Sequence, residues 1–303
     1  MKIFITGGTG FICRHLVRRL SAAGHRITVL TRAERGESPF SREVSLISGD
    51  PGRPGSWQKT AAENEVIINL AGLSIFRRWI GKAKRMIRDS RILTTRNLVD
   101  AIAGAQETRP VFFSTSAVGY YGFHGDEELR EASPPGDGFL AMMAREWEEE
   151  ALRARGMAAR VVITRFGIVL GRDGGALKTM VPIFCTFIGG PLGDGRQWMS
   201  WIHVEDLVQG MLFLMDHPEI EGPVNFTAPH PVRNKDFSIT LGRALHRPSF
   251  MPVPGFALRF LMGEFGSILL KGQRVMPGVL LDSGYQFRYP TIDLAFQDLL
   301  TAH

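Results

Sequence analysis

The chain has 303 residues, 36 Lys and Arg against 30 Asp and Glu, a net charge of +6, and 44% hydrophobic residues. That length holds one large domain, or one domain with a smaller second lobe, and so ordinary a composition excludes a disordered or fibrous protein. Two cysteines, Cys13 and Cys185, make no disulfide framework, so a reduced, cytoplasmic setting is expected.

In chain order, Lys2 to Thr6 reads as a buried strand. Gly10 to about Ala22 reads as a helix, with Phe11, Ile12, Leu16, Val17 and Leu20 apolar at helical spacing. Strands follow at Arg26 to Thr31, Val44 to Ile47 and Val66 to Leu70, then a long polar helix over about Lys82 to Ala103. Val111 to Thr115 is a further buried strand. A helix over about Phe139 to Ala154 carries Glu146, Glu148, Glu149 and Glu150 as a solvated face, and Val161 to Thr164 is the next strand. The second half is punctuated by glycine and proline, with helical patterns at Val204 to Met215, Asn234 to Leu245, Phe256 to Phe265 and Ile292 to Leu300. Strands separated by helices imply a doubly wound parallel sheet with right-handed crossovers. The expected division is an α/β core over residues 1–165, rejoined by 204–230, with 166–203 and 231–303 as a smaller C-terminal lobe.

The apolar start, Ile3-Phe4-Ile5, is too short for a signal-peptide core, and no apolar stretch reaches spanning length, so no leader and no membrane partner are expected. The densest basic group is Arg77, Arg78, Lys82, Lys84, Arg85, Arg88 and Arg91. It reads as a solvated helix face, the alternative being that part of it meets a cofactor phosphate; without interleaved aromatics on one face, no nucleic-acid partner is expected. The eight histidines show no ligand spacing, so no metal is expected.

Ile3-Phe4-Ile5-Thr6-Gly7-Gly8-Thr9-Gly10-Phe11-Ile12-Cys13 is a strand, a glycine turn and a helix start. Gly7 allows a tight turn, Gly10 allows the backbone to approach a pyrophosphate, and the helix N-terminus offers unpaired N–H groups and partial positive charge. Gly7, Thr9, Gly10, Phe11 and Ile12 are therefore candidate cofactor-binding residues. An NAD site places an acid at the end of the second strand for the ribose 2′-OH. Here that strand ends at Thr31-Arg32, a hydroxyl and a guanidinium suited to a 2′-phosphate, so NADP(H) is expected over NAD(H).

The spacing of Gly7, Gly10 and Cys13 is that of the short-chain dehydrogenase/reductase superfamily with its third glycine replaced, a position where a packed thiol is tolerated and a reactive one is the alternative. More narrowly the chain resembles the YfcH-like epimerase family proteins, atypical extended members related to NAD-dependent epimerases and dehydratases. The likeness is carried by Asn69-Leu70-Ala71-Gly72, Gly119-Tyr120-Tyr121-Gly122, Arg165-Phe166-Gly167-Ile168-Val169-Leu170-Gly171, Gly189-Gly190-Pro191-Leu192-Gly193, Trp201-Ile202-His203-Val204-Glu205-Asp206 and Gly284-Tyr285-Gln286-Phe287. The resemblance implies an NADP(H)-binding Rossmann core with a small C-terminal substrate lobe, with Leu70, Ala71, Gly72 and Ser114 against the cofactor, Arg91 near its phosphates, and a homodimer through the long helix and the glutamate-rich helix.

It also implies a catalytic Ser or Thr with a Tyr-x-x-x-Lys pair, in which the tyrosine moves a proton while hydride moves. Ser116 matches the serine. The pair is missing: Phe139 and Met143 occupy one register, Leu140 and Ala144 the other. Tyr120 and Tyr121 are the candidate substitute phenols. His203 is a further candidate, read in preference as a brace beside Asp206. The substrate is expected between the sheet edge and the smaller lobe. Its expected walls are Gly189 to Gly195, Gln197, Trp198, Trp201 and Lys271-Gly272-Gln273-Arg274, with Met199 and Phe187 as core. The implied function is an NADP(H)-dependent oxidoreductase or epimerase-like enzyme on a small carbonyl or nucleotide-linked sugar; the alternative is a catalytically silent NADP(H)-binding regulator linked to cell division.

Overall fold

A computed structural model describes residues 1–8, 10–32, 40, 44–105 and 109–300. Strand β1 (Lys2–Thr6) passes through the glycine turn into α1 (Phe11–Ala22), followed by β2 (Arg26–Thr31), β3 (Val44–Ser48), α2 (Trp57–Ala62), β4 (Val66–Asn69), α3 (Gly81–Ala103) and β5 (Val111–Ala117). A 3-10 turn over Val118–Tyr121 and β6 (Glu128–Leu129) precede α4 (Phe139–Leu152) and β7 (Arg160–Phe166). Next come β8 (Ile168–Gly171), β9 (Gly174–Gly175), α5 (Leu177–Cys185), β10 (Trp198–Met199), β11 (Trp201–His203), α6 (Val204–Asp216), β12 (Gly222–Phe226), β13 (Val232–Arg233) and α7 (Asn234–Ala244). The chain closes with α8 (Gly255–Met262), α9 (Glu264–Ile268), β14 (Arg274–Val275), α10 (Gly278–Asp282) and α11 (Ile292–Leu300).

Seven strands form one sheet in the order β12-β7-β5-β4-β1-β2-β3, every pairing parallel. The chain runs from β1 outward through β2 and β3, then crosses back to β4 on the other side of β1. That reversal makes the Rossmann-type, doubly wound arrangement and opens a crevice at the C-terminal ends of β1 and β4. Period-two alternation splits the core between the two faces: Ile3 and Ile5 pack with α1 and α6, while Phe4 packs with α2 and α3. Strands buried on both faces read as continuous apolar runs, which is why these were legible as strands. Each fully buried Ile, Leu or Phe contributes about 1.5–3 kcal/mol of transfer free energy.

Two expectations are corrected here. The sheet has a further strand, β12, in a segment read only as returning to the core. Pro223 lies within it, and a proline weakens a strand pattern while remaining compatible with an edge position, where β12 sits. The helix expected over Phe256 to Phe265 is broken at Gly263, which takes φ +61 and separates α8 from α9. A separate apolar cluster of Leu170, Leu177, Phe184, Trp201, Phe237, Leu241 and Phe296 joins α5, α7, β8, β11 and α11.

Candidate functional site

The crevice is built by the glycine turn. Gly7 takes φ +80, and a Cβ there would stand 2.7 Å from the Leu70 carbonyl, so only glycine lets this turn and the β4 edge come so close. Gly10 is the N-cap of α1 and adds no side-chain cap bond; the first turn carries no acid. The N–H groups of Phe11, Ile12 and Cys13 therefore have no intrahelical acceptor and no partner among the described residues, as an anion site requires. Thr9 lies outside the described residues. The side chains of Phe11 and Ile12 face the protein. The Phe11 ring lies within 2.3 Å of where Cβ atoms on Gly171 and Gly174 would stand, so those glycines admit it, and Ile12 packs on the core. Cys13 is buried, and burial pushes its thiol up to about 12, so the packed reading holds over the reactive one.

The crevice floor is fixed by a buried hydrogen-bond chain. Thr6 Oγ1 donates to Asn69 Oδ1 (2.7 Å), Asn69 Nδ2 donates to Thr95 Oγ1 (2.9 Å), and Trp147 Nε1 donates to the same hydroxyl (2.8 Å). This ties β1, β4, α3 and α4 together beneath the loop of Leu70, Ala71 and Gly72. Arg91 reaches that loop from α3. Its Nη1 donates to the carbonyls of Leu73 and Ile87, both at 3.0 Å, and it makes no ion pair with a described residue. Burial lowers its pKa to about 10. A half-buried guanidinium without a carboxylate, beside an exposed glycine, suits a phosphate. Ser114, buried midway along β5, has an Oγ with no hydrogen-bond partner among the described residues. Thr31 is half-buried at the end of β2, and Arg32 beside it is exposed and unpaired with any described residue.

The catalytic expectations fare differently. On β5 the alternation puts Ser116 on the same face as Phe112 and Ser114, turned toward α4, and its Oγ donates to Glu148 Oε1 at 2.6 Å. Arg165 Nε and Nη2 donate to the two Glu148 oxygens at 2.8 and 2.7 Å, and Nη1 donates to the Tyr121 hydroxyl at 2.8 Å. Tyr121 donates in turn to Asn225 Oδ1 at 2.7 Å. The whole cluster is buried, and burial pushes the Tyr121 phenol up to about 12 despite Arg165 beside it. Ser116 and Tyr121 thus brace β5, β7, α4 and β12 and have no surface for a substrate. This corrects the catalytic reading of both. Tyr120 keeps a partly exposed ring, with the Arg165 guanidinium 3.6 Å from its centroid.

The same cluster corrects the reading of α4 as a solvated acidic face. Glu148 and Glu150 are buried. Glu150 pairs with Arg96 (3.0 Å) and with Arg153, and Glu146 pairs with Arg88 at 2.5 Å. Most of these bonds join α3 to α4 within one chain. At the start of α4 the Tyr-x-x-x-Lys positions of either register are apolar in space as well as in sequence. Phe139, Leu140 and Met143 pack with Trp79, Ile87 and Phe265, and Ala144 is buried. Trp79 meets Phe139 edge-on at 5.0 Å. Lys84 Nζ lies 5.1 Å from the Phe139 centroid and is paired with Glu264 Oε1 at 2.6 Å.

His203 is the N-cap of α6, its Nδ1 accepting from the Glu205 N–H at 3.0 Å. Its Nε2 lies 3.3 Å from Asp298, and its ring stacks on Tyr289 at 3.9 Å. It braces the junction, but against Asp298; Asp206 instead accepts the backbone N–H groups of Arg288 and Tyr289. Of the expected substrate walls, Asp194, Gln197, Trp198, Lys271 and Gly272 line a cleft of about 380 Å³ together with Arg196 and Arg233. Trp201 is fully buried, and Gln273 and Arg274 are committed to Val118 and Glu128. Met199 is core as expected, whereas Phe187 is exposed.

Fold and crevice together define a Rossmann-type α/β protein with an open glycine turn at the sheet's switch point. Residues 3–226 match the NAD dependent epimerase/dehydratase family, and the chain belongs to that family. Residues 253–299 match a domain of unknown function, DUF1731. The chain is 42% identical to the epimerase family protein SDR39U1 homolog, chloroplastic, of Arabidopsis thaliana, over 99% of this chain and 87% of that protein. It is 38% identical to the epimerase family protein YfhF of Bacillus subtilis, over 99% of this chain and 98% of that one. The crystal structure of human epimerase family protein SDR39U1 with NADPH matches at a TM-score of 0.87 and 32% identity, covering 99% of both chains.

Proposed function

We propose that this protein binds NADP(H) in the crevice between β1 and β4 and reduces or oxidises a small carbonyl or alcohol substrate at the mouth formed by Tyr120 and the start of α4. The observation that carries the reading is Arg91, a guanidinium without a carboxylate, held against Gly72 at the crevice edge. The likeness to human SDR39U1, crystallised with NADPH, supports it. Gly7 and the open N–H groups of α1 cradle the pyrophosphate, and Arg91 neutralises it. Thr31 and Arg32 take the 2′-phosphate, Leu70 and Ala71 line the adenosine, and Ser114 offers its hydroxyl from the floor. When bound, the nicotinamide supplies hydride exchange with a carbonyl carbon.

The chain's own contribution to the chemistry is a proton and an apolar wall. With Ser116 and Tyr121 enclosed, Tyr120 is the phenol left to protonate the substrate oxygen. Phe139 and Leu140 keep water from the mouth. The reading is tested by titrating the protein with NADPH and with NADH while following nicotinamide fluorescence. Binding of NADPH well ahead of NADH, with the preference lost in Arg32→Glu, is expected. Failure of both to bind, or tighter NADH, overturns the assignment. Once a carbonyl panel yields a substrate, Tyr120→Phe should lower turnover without changing NADPH affinity; unchanged turnover removes Tyr120 from the chemistry.

A further inference from the structure

The surface beside this mouth carries large, exposed apolar side chains. On α8, Phe256 and Phe260 are 76% and 82% exposed and Leu261 is 69% exposed. Phe256 and Phe260 are one helical turn apart, so they share a face. Phe250 and Met251, just before α8, are exposed too, as are Phe187 and Ile188. The two loops run side by side: Val253 N donates to the Pro191 carbonyl at 2.8 Å, and Gly193 N donates to the Val253 carbonyl at 2.9 Å. Phe187 takes φ +66, a conformation costly for a bulky residue, and is presented to solvent in it. A third segment joins the same side. Phe76 packs edge-on against Phe265 at 5.6 Å, and Arg78 lies within 3.7 Å of a Cβ position on Gly263.

The charge of these three segments is one-sided. Residues 74–88, 178–193 and 243–271 hold eleven Lys and Arg and one acid, Glu264. Lys84 already pairs with Glu264, and Arg88 pairs with Glu146 and Asp89 outside these segments. Arg78, Lys82, Arg85, Arg247 and Arg259 make no ion pair with a described residue. Outside the three segments the chain has 25 Lys and Arg against 29 Asp and Glu, so its whole excess of positive charge lies here. Arg247 sits 4.8 Å from the Phe187 centroid, cation beside aromatic.

We infer that this face is a docking surface for an anionic lipid bilayer, with the α8 aromatics entering the headgroup boundary and the surrounding arginines and lysines meeting lipid phosphates. Exposed aromatics ringed by cations are the chemistry of interfacial attachment, which needs no spanning segment; the expectation of no membrane partner rested on spanning length alone. The inference is independent of the proposed redox chemistry.

The test is co-sedimentation of the full chain with vesicles of pure phosphatidylcholine and with vesicles of equal parts phosphatidylcholine and phosphatidylglycerol. Binding to the anionic vesicles only, weakened by salt, is expected. Phe256→Ser with Phe260→Ser should reduce it by at least about tenfold, from the lost apolar burial of two phenyl rings. Arg78→Glu with Arg85→Glu should reduce it as well, and thermal melting should show all variants folded. Absence of vesicle binding at low salt overturns the inference. So does binding that the phenylalanine changes leave intact, which would reflect charge alone. A dimer in light scattering that the same phenylalanine changes dissolve, without any vesicle binding, would assign the face to a second copy of the chain and overturn it equally.

Discussion

Arg91 closes over Gly72: its guanidinium carbon is 3.2 Å from where a Cβ on that glycine would stand. The pair couples a residue on α3 to the loop after β4, so the arginine is positioned by what Gly72 lacks. Gly72→Ala should push Arg91 aside, and Arg91→Gln should remove its charge. Either change should weaken NADPH by roughly tenfold to a hundredfold, the worth of about 1.5–3 kcal/mol for a charged hydrogen bond. Fluorescence titration measures this, and Arg91→Gln binding NADPH as tightly as the parent chain would show that the arginine does not meet the cofactor.

The Glu148–Arg165 pair is the second place where a small change has a large expected effect. Both groups are buried, and each is the other's compensation. Glu148→Ala leaves the Arg165 charge without a carboxylate and should cost about 3–5 kcal/mol in urea unfolding. Arg165→Met in the same chain should recover part of that loss, because the uncompensated charge goes with it. A double variant less stable than Glu148→Ala alone would contradict the account.

The stability of the fold should depend on pH through His203. Burial lowers its pKa from 6.5 to about 4, with Asp298 opposing, so the ring is neutral in the folded protein. The unfolded chain binds the proton more readily, and unfolding is favoured as pH falls. The contribution is complete above the unfolded value and is lost between about 6.5 and 4, at most about 3 kcal/mol. Asp206 and Glu131, both raised by burial, act in the opposite sense. Comparing unfolding curves of the parent chain and His203→Gln across this range isolates the histidine; parallel curves would refute its part.

The two thiols should differ sharply. Cys13 is buried with its pKa raised to about 12, while Cys185 is exposed. Under native conditions a thiol reagent at neutral pH should therefore label Cys185 and reach Cys13 only on unfolding. Rapid labelling of both thiols would mean that the glycine turn opens far more readily than its packing implies.

What local pattern fixed in this chain is considerable. Apolar runs bounded by turns located six of the seven central strands, helical spacing located α1, α3, α4, α6, α7 and α11, and the glycine turn located the crevice, because these signals lie within a few residues of one another. The seventh strand, β12, escaped because five residues with a proline at an edge carry little pattern. Tertiary structure alone decided which side chains are free to act. Helical period places Glu148 and Glu150 on α4, but nothing local says that their faces meet Arg165 and Arg96, 17 and 54 residues away. The same holds for Tyr121, whose partner Asn225 is 104 residues distant. Burial and ion pairing depend on which faces the topology brings together, so a carboxylate or a phenol that reads as exposed or reactive becomes a brace once the sheet closes around it.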